Sequence, residues 1–259
     1  MSFFEAAAFT VPDRTPLFKP MPRFYKGYRK LSVFCEAAIE GIQKSLPDGF
    51  IAADNVIEVF VMACPEVHDV ANPEMGPRNY LEGGVVVPVR YGELLGGHVL
   101  YEFVTTDDAM AGGREVWGYP KKLGEVTMTE NGSGYISATV SRLGRTLINA
   151  SFTPQEIVYD KPLLHPRIQV KRIPRADGKG YDVDQIIRND LRAPKIEQVV
   201  RGSATLALGG GSLMDPLYEL DVHRVIGAEF VVAEFYLDYG VIYEDRLSQS
   251  SQSSQRSQP

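Results

Sequence analysis

The 259-residue sequence predicts a chain dominated by β-strands. Three observations predict it. Runs rich in Val, Phe and Tyr recur along the chain, two of their connections have hairpin composition, and only one segment carries a convincing helical period. The strands follow one another without the helix-sized spacers of βαβ units, so a barrel or sandwich is favoured over a doubly wound sheet.

In chain order, residues 11–23 contain Pro12, Pro16, Pro20 and Pro22, a spacing that favours an extended arm over a helix. Cys35 to Leu46 carries the helical pattern: Ala38, Ile39, Ile42 and Leu46 fall at helical spacing, and Pro47-Asp48-Gly49 supplies the stop. Val56–Cys64, Gly84–Arg90 and His98–Thr105 read as strands. Asn131-Gly132-Ser133-Gly134 joins Val126–Thr129 to Tyr135–Ser141 as a first hairpin, and Leu143-Gly144-Arg145 leads into Thr146–Phe152 as a second. Further strands are expected over Gln169–Ile173, Glu197–Ala207 and Glu229–Tyr236. Residues 1–247 are read as a single domain. Residues 248–259, almost entirely Ser and Gln, cannot bury apolar surface and read as a disordered tail.

Composition narrows the functional classes. Hydrophobic residues make up 44% and charged residues 23%, enough for an ordinary core. The net charge of −6 speaks against nucleic acid as the main partner, because a phosphate-binding surface needs surplus Lys and Arg. Cys35 and Cys64 each sit in an apolar run and read as buried, reduced thiols. No apolar stretch approaches the length of a membrane span, and the N-terminus lacks a signal-peptide pattern, so the expected location is the cytoplasm.

Among residues that carry chemistry, His68, His98, His165 and His223 are scattered without a metal-binding spacing. Leu208-Gly209-Gly210-Gly211-Ser212 lacks the pattern of a phosphate cradle and reads as a turn, and no GxSxG motif is present. What remains is Gly113-Arg114-Glu115-Val116-Trp117-Gly118-Tyr119-Pro120-Lys121-Lys122-Leu123-Gly124, which includes the only tryptophan. In an extended segment neighbouring side chains point to opposite faces, so Lys121 could enter an apolar pocket with the Lys122 charge still close by. Desolvation and a nearby positive charge would both lower the Lys121 pKa, and a neutral amine is what attack on a ketone requires.

At this motif the chain resembles the acetoacetate decarboxylase family. Gly113-Arg114-Glu115 followed by Tyr119-Pro120-Lys121-Lys122-Leu123-Gly124 looks like its active-site signature. Phe24 to Arg29, Glu82 ahead of Val87-Pro88-Val89, Asp215-Pro216-Leu217 and Val241-Ile242-Tyr243-Glu244 are similar to further family landmarks. Glu82 lies 39 residues before Lys121. The resemblance implies an α+β fold, a mainly antiparallel β-barrel with few short helices, and homo-oligomers. It also implies a small 3-oxo acid substrate, with no cofactor or metal required. By position, Lys121 would be the Schiff-base lysine and Lys122 its electrostatic neighbour; that pairing is the standard example of a cation-activated lysine. Glu82 would be the pocket acid, and Arg29 the cation that pairs with it or with the substrate carboxylate. Tyr119, Phe60 and Glu102 are expected in the pocket. Phe60 stands where family members carry a second glutamate, with Glu58 on the same strand face as a replacement, and Glu102 stands where an apolar residue is expected. These departures bear on the substrate. They leave open decarboxylation, aldol condensation with dehydration on the same lysine, and a non-catalytic barrel that binds small acids.

Overall fold

The computed structural model describes residues 10–11, 16–209 and 213–248. Pro12 in the arm, residues 210–212 of the glycine-rich loop and the Ser/Gln tail from residue 249 lie outside the described residues. The chain begins with β1 (Arg23–Ala37), α1 (Ile39–Ser45), β2 (Ile51–Ala52), β3 (Val56–Asp69), β4 (Arg78–Tyr91) and β5 (Leu94–Val104). There follow α2 (Asp107–Gly112), a π-helical turn over Gly113–Trp117, β6 (Lys121–Leu123), β7 (Glu125–Glu130), β8 (Ile136–Arg142) and β9 (Arg145–Pro154). The last strands are β10 (Arg167–Pro174), β11 (Tyr181–Asn189), β12 (Leu191–Leu208), β13 (Val222–Leu237) and β14 (Val241–Asp245).

The strands form one sheet in the order β14-β11-β10-β5-β4-β3-β1-β13-β12-β9-β8-β7, with β2 beside β4 and β6 beside β5. Pairing is antiparallel except where β5 meets β10 and β6. Both expected hairpins form, β7 with β8 and β8 with β9. Among the described residues no ladder joins β7 to β14, so the sheet is open and the expected barrel is corrected: closure needs every strand to have two partners. The sheet curls instead, bringing β7 across β3, β4 and β5. The two curled halves share a core that includes Val59, Val85, Val87 and Phe103 from one side and Val126, Ala138, Val140 and Phe152 from the other.

The expected helix begins later than its period suggests. Cys35 and Ala37 belong to β1, Cys35 paired with both β3 and β13 and Ala37 with β13, and only Ile39–Ser45 is helical. Helical spacing lost to two rows of ladder hydrogen bonds. Residues 16–22 carry no helix or strand, as the prolines require. Cys35 and Cys64 are buried free thiols, and burial pushes Cys35 up to about 12.

Strand alternation divides the molecule. On β1, Leu31, Val33 and Cys35 enter the core, while Lys30, Ser32 and Phe34 line a cavity on the other face. On β3 the core takes Ile57, Val59 and Val61, and the cavity takes Glu58, Phe60 and Met62. On β4, Val85, Val87 and Val89 face the core, whereas Glu82 lines the cavity and Val86 packs with Phe34 and Phe60 in its wall. β4 is therefore apolar on both sides, which explains its unbroken run of valines. Each such valine, fully buried, contributes roughly 1.5–3 kcal/mol.

Candidate active site

Lys121 reaches the cavity because of what precedes it. The π-helical turn ends in Trp117, which is buried and donates its indole N–H to the Asp238 carbonyl at 3.0 Å. Tyr119 and Pro120 then carry the chain into β6, where Lys121 lies beside Glu102 of β5 in parallel register. The Arg114 guanidinium donates to the Lys121 carbonyl at 3.1 Å and fixes the strand end. Gly113 leaves room for the lysine stem: a Cβ there would lie 2.5 Å from Lys121 Cδ.

The Lys121 ammonium donates to Glu82 Oε2 at 2.6 Å, and both side chains are buried. Its nitrogen stands 5.8 Å from the ring centroids of Tyr80 and Tyr119. Glu102 is 4% exposed, and its Oε2 has no hydrogen-bond partner among the described residues. Burial and the neighbouring Glu82 carboxylate push the Glu102 carboxyl well above the usual range, toward its protonated form. Two acids and one amine thus share a dry pocket.

These neighbours reverse the expected direction of the Lys121 pKa. Burial acts to lower it, but Glu102 and Glu82 together outweigh burial and raise it above the ordinary lysine value. Lys122 does point to the opposite face, as alternation requires, but its charge is not beside the Lys121 amine. It donates to Asp215 Oδ1 at 2.7 Å and to the Met214 carbonyl at 2.6 Å, with Arg142 on the other Asp215 oxygen at 3.1 Å. The expected electrostatic neighbour is thus neutralised by Asp215, on the far side of the strand.

Arg29 is also corrected. It is exposed and does not line the cavity. The cause is a bulge at Gly27, whose φ is +63°: Tyr25 and Tyr28 of β1 face Phe235 and Ala233 of β13, so an extra residue enters β1. Alternation shifts by one place there. Tyr25 and Tyr28 both line the cavity, Lys30 follows inward, and Arg29 turns out.

Phe60, Tyr119 and Glu102 all line the cavity, with Glu58 beside them. Glu58 accepts a hydrogen bond from Ser32 Oγ at 2.6 Å and pairs with Lys30 at 2.6 Å and Arg167 at 3.3 Å. Burial acts to raise its pKa, but Lys30 and Arg167 pull it down to about 2. Lys30 and Arg167 escaped the sequence reading. Lys30 would have been found from strand parity had the Gly27 bulge been recognised; nothing local marks Arg167. The cavity holds about 530 Å³, within the range of small-molecule sites, and Phe34, Val99 and Leu164 form part of its apolar wall.

Comparison with known proteins agrees in direction. The family model described as acetoacetate decarboxylase (ADC) matches residues 10–247. An acetoacetate decarboxylase of Acidiphilium cryptum is 27% identical over 249 residues, covering 93% of this chain and 96% of its own. The crystal structure of acetoacetate decarboxylase from Legionella pneumophila is similar with a TM-score of 0.80 at 21% identity, covering 93% of this chain and 94% of that one. The enduracididine biosynthesis enzyme MppR, complexed with the condensation product of pyruvate and imidazole 4-carboxaldehyde, is similar with a TM-score of 0.78 at 15% identity, covering 92% and 98%. At these identities the structural likenesses speak for the fold.

Proposed function

Because the chain belongs to the acetoacetate decarboxylase family, we propose that it decarboxylates a 3-oxo acid through a Schiff base on Lys121, with acetoacetate giving acetone and carbon dioxide. The observation that carries this reading is the buried Lys121–Glu82 contact of 2.6 Å, with the proton-holding Glu102 beside it in a cavity of substrate size.

In the resting site Lys121 is an ammonium and has no lone pair. The nucleophile is made by moving its proton to Glu82 along the existing hydrogen bond, not by a standing depression of its pKa. The free amine adds to the ketone, and the carbinolamine loses its oxygen as water, with Glu102 placed to supply the proton. The resulting iminium accepts the electron pair of the carbon–carboxylate bond as carbon dioxide leaves. The enamine is then protonated at carbon, and water hydrolyses the imine to ketone and free lysine. Covalent attachment replaces one difficult step with several easier ones.

A second reading has its own observation. Two adjacent carboxyls, with Glu102 pushed toward its protonated form by burial and by Glu82, suit an aldol condensation followed by dehydration, which needs a base and an acid at one carbon chain. The structural likeness to MppR extends to the fold, and that enzyme is complexed with a condensation product. The deciding experiment incubates the protein with acetoacetate, reduces with borohydride, and maps the adduct while acetone and carbon dioxide are followed. An adduct on Lys121 with both products supports decarboxylation. An adduct without carbon dioxide transfers the lysine to condensation chemistry. An adduct on Lys30, or none with any oxo acid, overturns the assignment of Lys121.

A further inference from the structure

We propose that Arg167, Lys30 and Asn189 form a carboxylate-binding subsite, which holds the acid group of the substrate while Lys121 takes its carbonyl. The inference rests on the Schiff-base reading for the second half of that statement only.

The Lys121 end of the cavity is a poor place for an incoming carboxylate. Glu82 already occupies the ammonium, and Glu102 stands next to it. The Lys121 ammonium is already matched by Glu82, so this end of the cavity offers an incoming carboxylate no unmatched positive charge. The cavity therefore needs a cation elsewhere. Lys161 lies at 45% side-chain exposure and donates to both oxygens of Glu229 at 3.0 Å, so its charge is matched one for one.

Lys30 and Arg167 differ from Lys161 because they share a single carboxylate, Glu58. Two cations against one anion leave a net positive charge at a buried cluster. Glu58, held down to about 2, does not change that count by taking a proton at neutral pH. Arg167 has five N–H donors in a planar fork. Among the described residues it uses Nη2 on Glu58 and Nη1 on the Leu164 carbonyl, at 2.5 Å for the latter. A carboxylate fits the remainder of such a fork.

Asn189 supplies an independent sign. It faces Arg167 across the β10–β11 ladder, lines the cavity and is 4% exposed. Its Nδ2 is buried with no acceptor among the described residues. A buried amide donor left without a partner costs free energy, and a carboxylate oxygen is the kind of acceptor it lacks. The subsite also borders the nucleophile: the Arg167 charge acts on both Glu102 and Tyr119, the residues packed around Lys121. Lys30, Arg167 and Asn189 line the same cavity as Lys121, so one oxo acid has access to both.

The test separates acid recognition from covalent chemistry. Binding of the unreactive acid 3-hydroxybutanoate is measured by calorimetry, and the neutral diketone acetylacetone is used to label lysine. For R167M the affinity for 3-hydroxybutanoate should fall at least tenfold, while acetylacetone still labels Lys121. R167K should recover part of the loss, and N189L should lose about threefold. Unchanged acid binding in R167M, with Lys121 labelling intact, overturns the subsite and leaves the Schiff base standing. Loss of acid binding in R167M with no labelling of Lys121 in either protein keeps the subsite and removes the Schiff-base reading. If R167M is not folded by circular dichroism, N189L and R167K carry the decision by the same two readouts.

Discussion

Two lysines, Lys121 buried and Lys30 half-buried, face one cavity, each 2.6 Å from a glutamate, yet their acidities are driven in opposite directions. Burial lowers both. At Lys121 the Glu102 and Glu82 acids overcome burial and raise the pKa, whereas at Lys30 burial prevails because Glu58 is shared with Arg167, whose charge adds to the lowering. The same side chain is therefore tuned by the number of carboxyls it does not have to share. The lesson for the chemistry is that the lysine in the family motif is not the one with a cation beside it. In the proposed mechanism Lys121 hands a proton to Glu82, while Lys30 is assigned to hold an anion.

The sharpest way to break this contrast is to remove each lysine in turn. Lys121→Ala should abolish the borohydride-trapped adduct and lower turnover by about 10⁴-fold or more, the scale of losing a nucleophile. Lys30→Met should keep an adduct on Lys121, so peptide mapping of both variants tests the division of labour. Next in size is Glu82→Gln. It takes away the proton acceptor, and turnover should fall by about 10²–10³-fold. The same change removes a carboxylate that raises the Lys121 pKa, so the pH dependence of acetylacetone labelling should move to lower pH.

The Lys30 end makes a prediction about stability. Glu58 ionises near 2 in the folded protein and near 4.5 when unfolded, so its contribution is fully present above pH 4.5. That contribution is lost as pH falls through the folded value, and it amounts to about 3 kcal/mol. Urea midpoints at pH 5 and pH 2.5 should show this loss in the native chain and a smaller one in Glu58→Gln. Gly113→Ala should cost about 1–3 kcal/mol through overpacking against the Lys121 stem, with slower labelling of that lysine. The smallest effect belongs to Lys122→Met. Arg142 still pairs with Asp215, so stability should fall by no more than about 1 kcal/mol, and the labelling pH of Lys121 should not shift. A clear upward shift there would restore Lys122 as an electrostatic neighbour.

Much of the architecture was legible from local chemistry. Val/Phe/Tyr-rich runs with turn residues between them mark most of the strands, and both hairpins form where their turns stand. The motif led to Lys121, and the family resemblance led to Glu82, which the structure brings to 2.6 Å from the lysine nitrogen. β1 and β11 were not marked as strands; β1 mixes lysines and tyrosines on a cavity face with apolar residues on a core face.

By itself, then, the sequence determined the strand-rich class, from periodicity, and pointed to Lys121 and the glutamate that touches it, from the motif and the family resemblance it carries. Only the tertiary structure decided which charges meet. The Gly27 bulge turned Arg29 outward and Lys30 inward, Asp215 drew Lys122 to the far side of β6, and Arg167 arrived beside Glu58 from 109 residues away. Electrostatic energy depends on distances of a few ångströms between groups far apart in the chain, and those distances exist only once the sheet has curled.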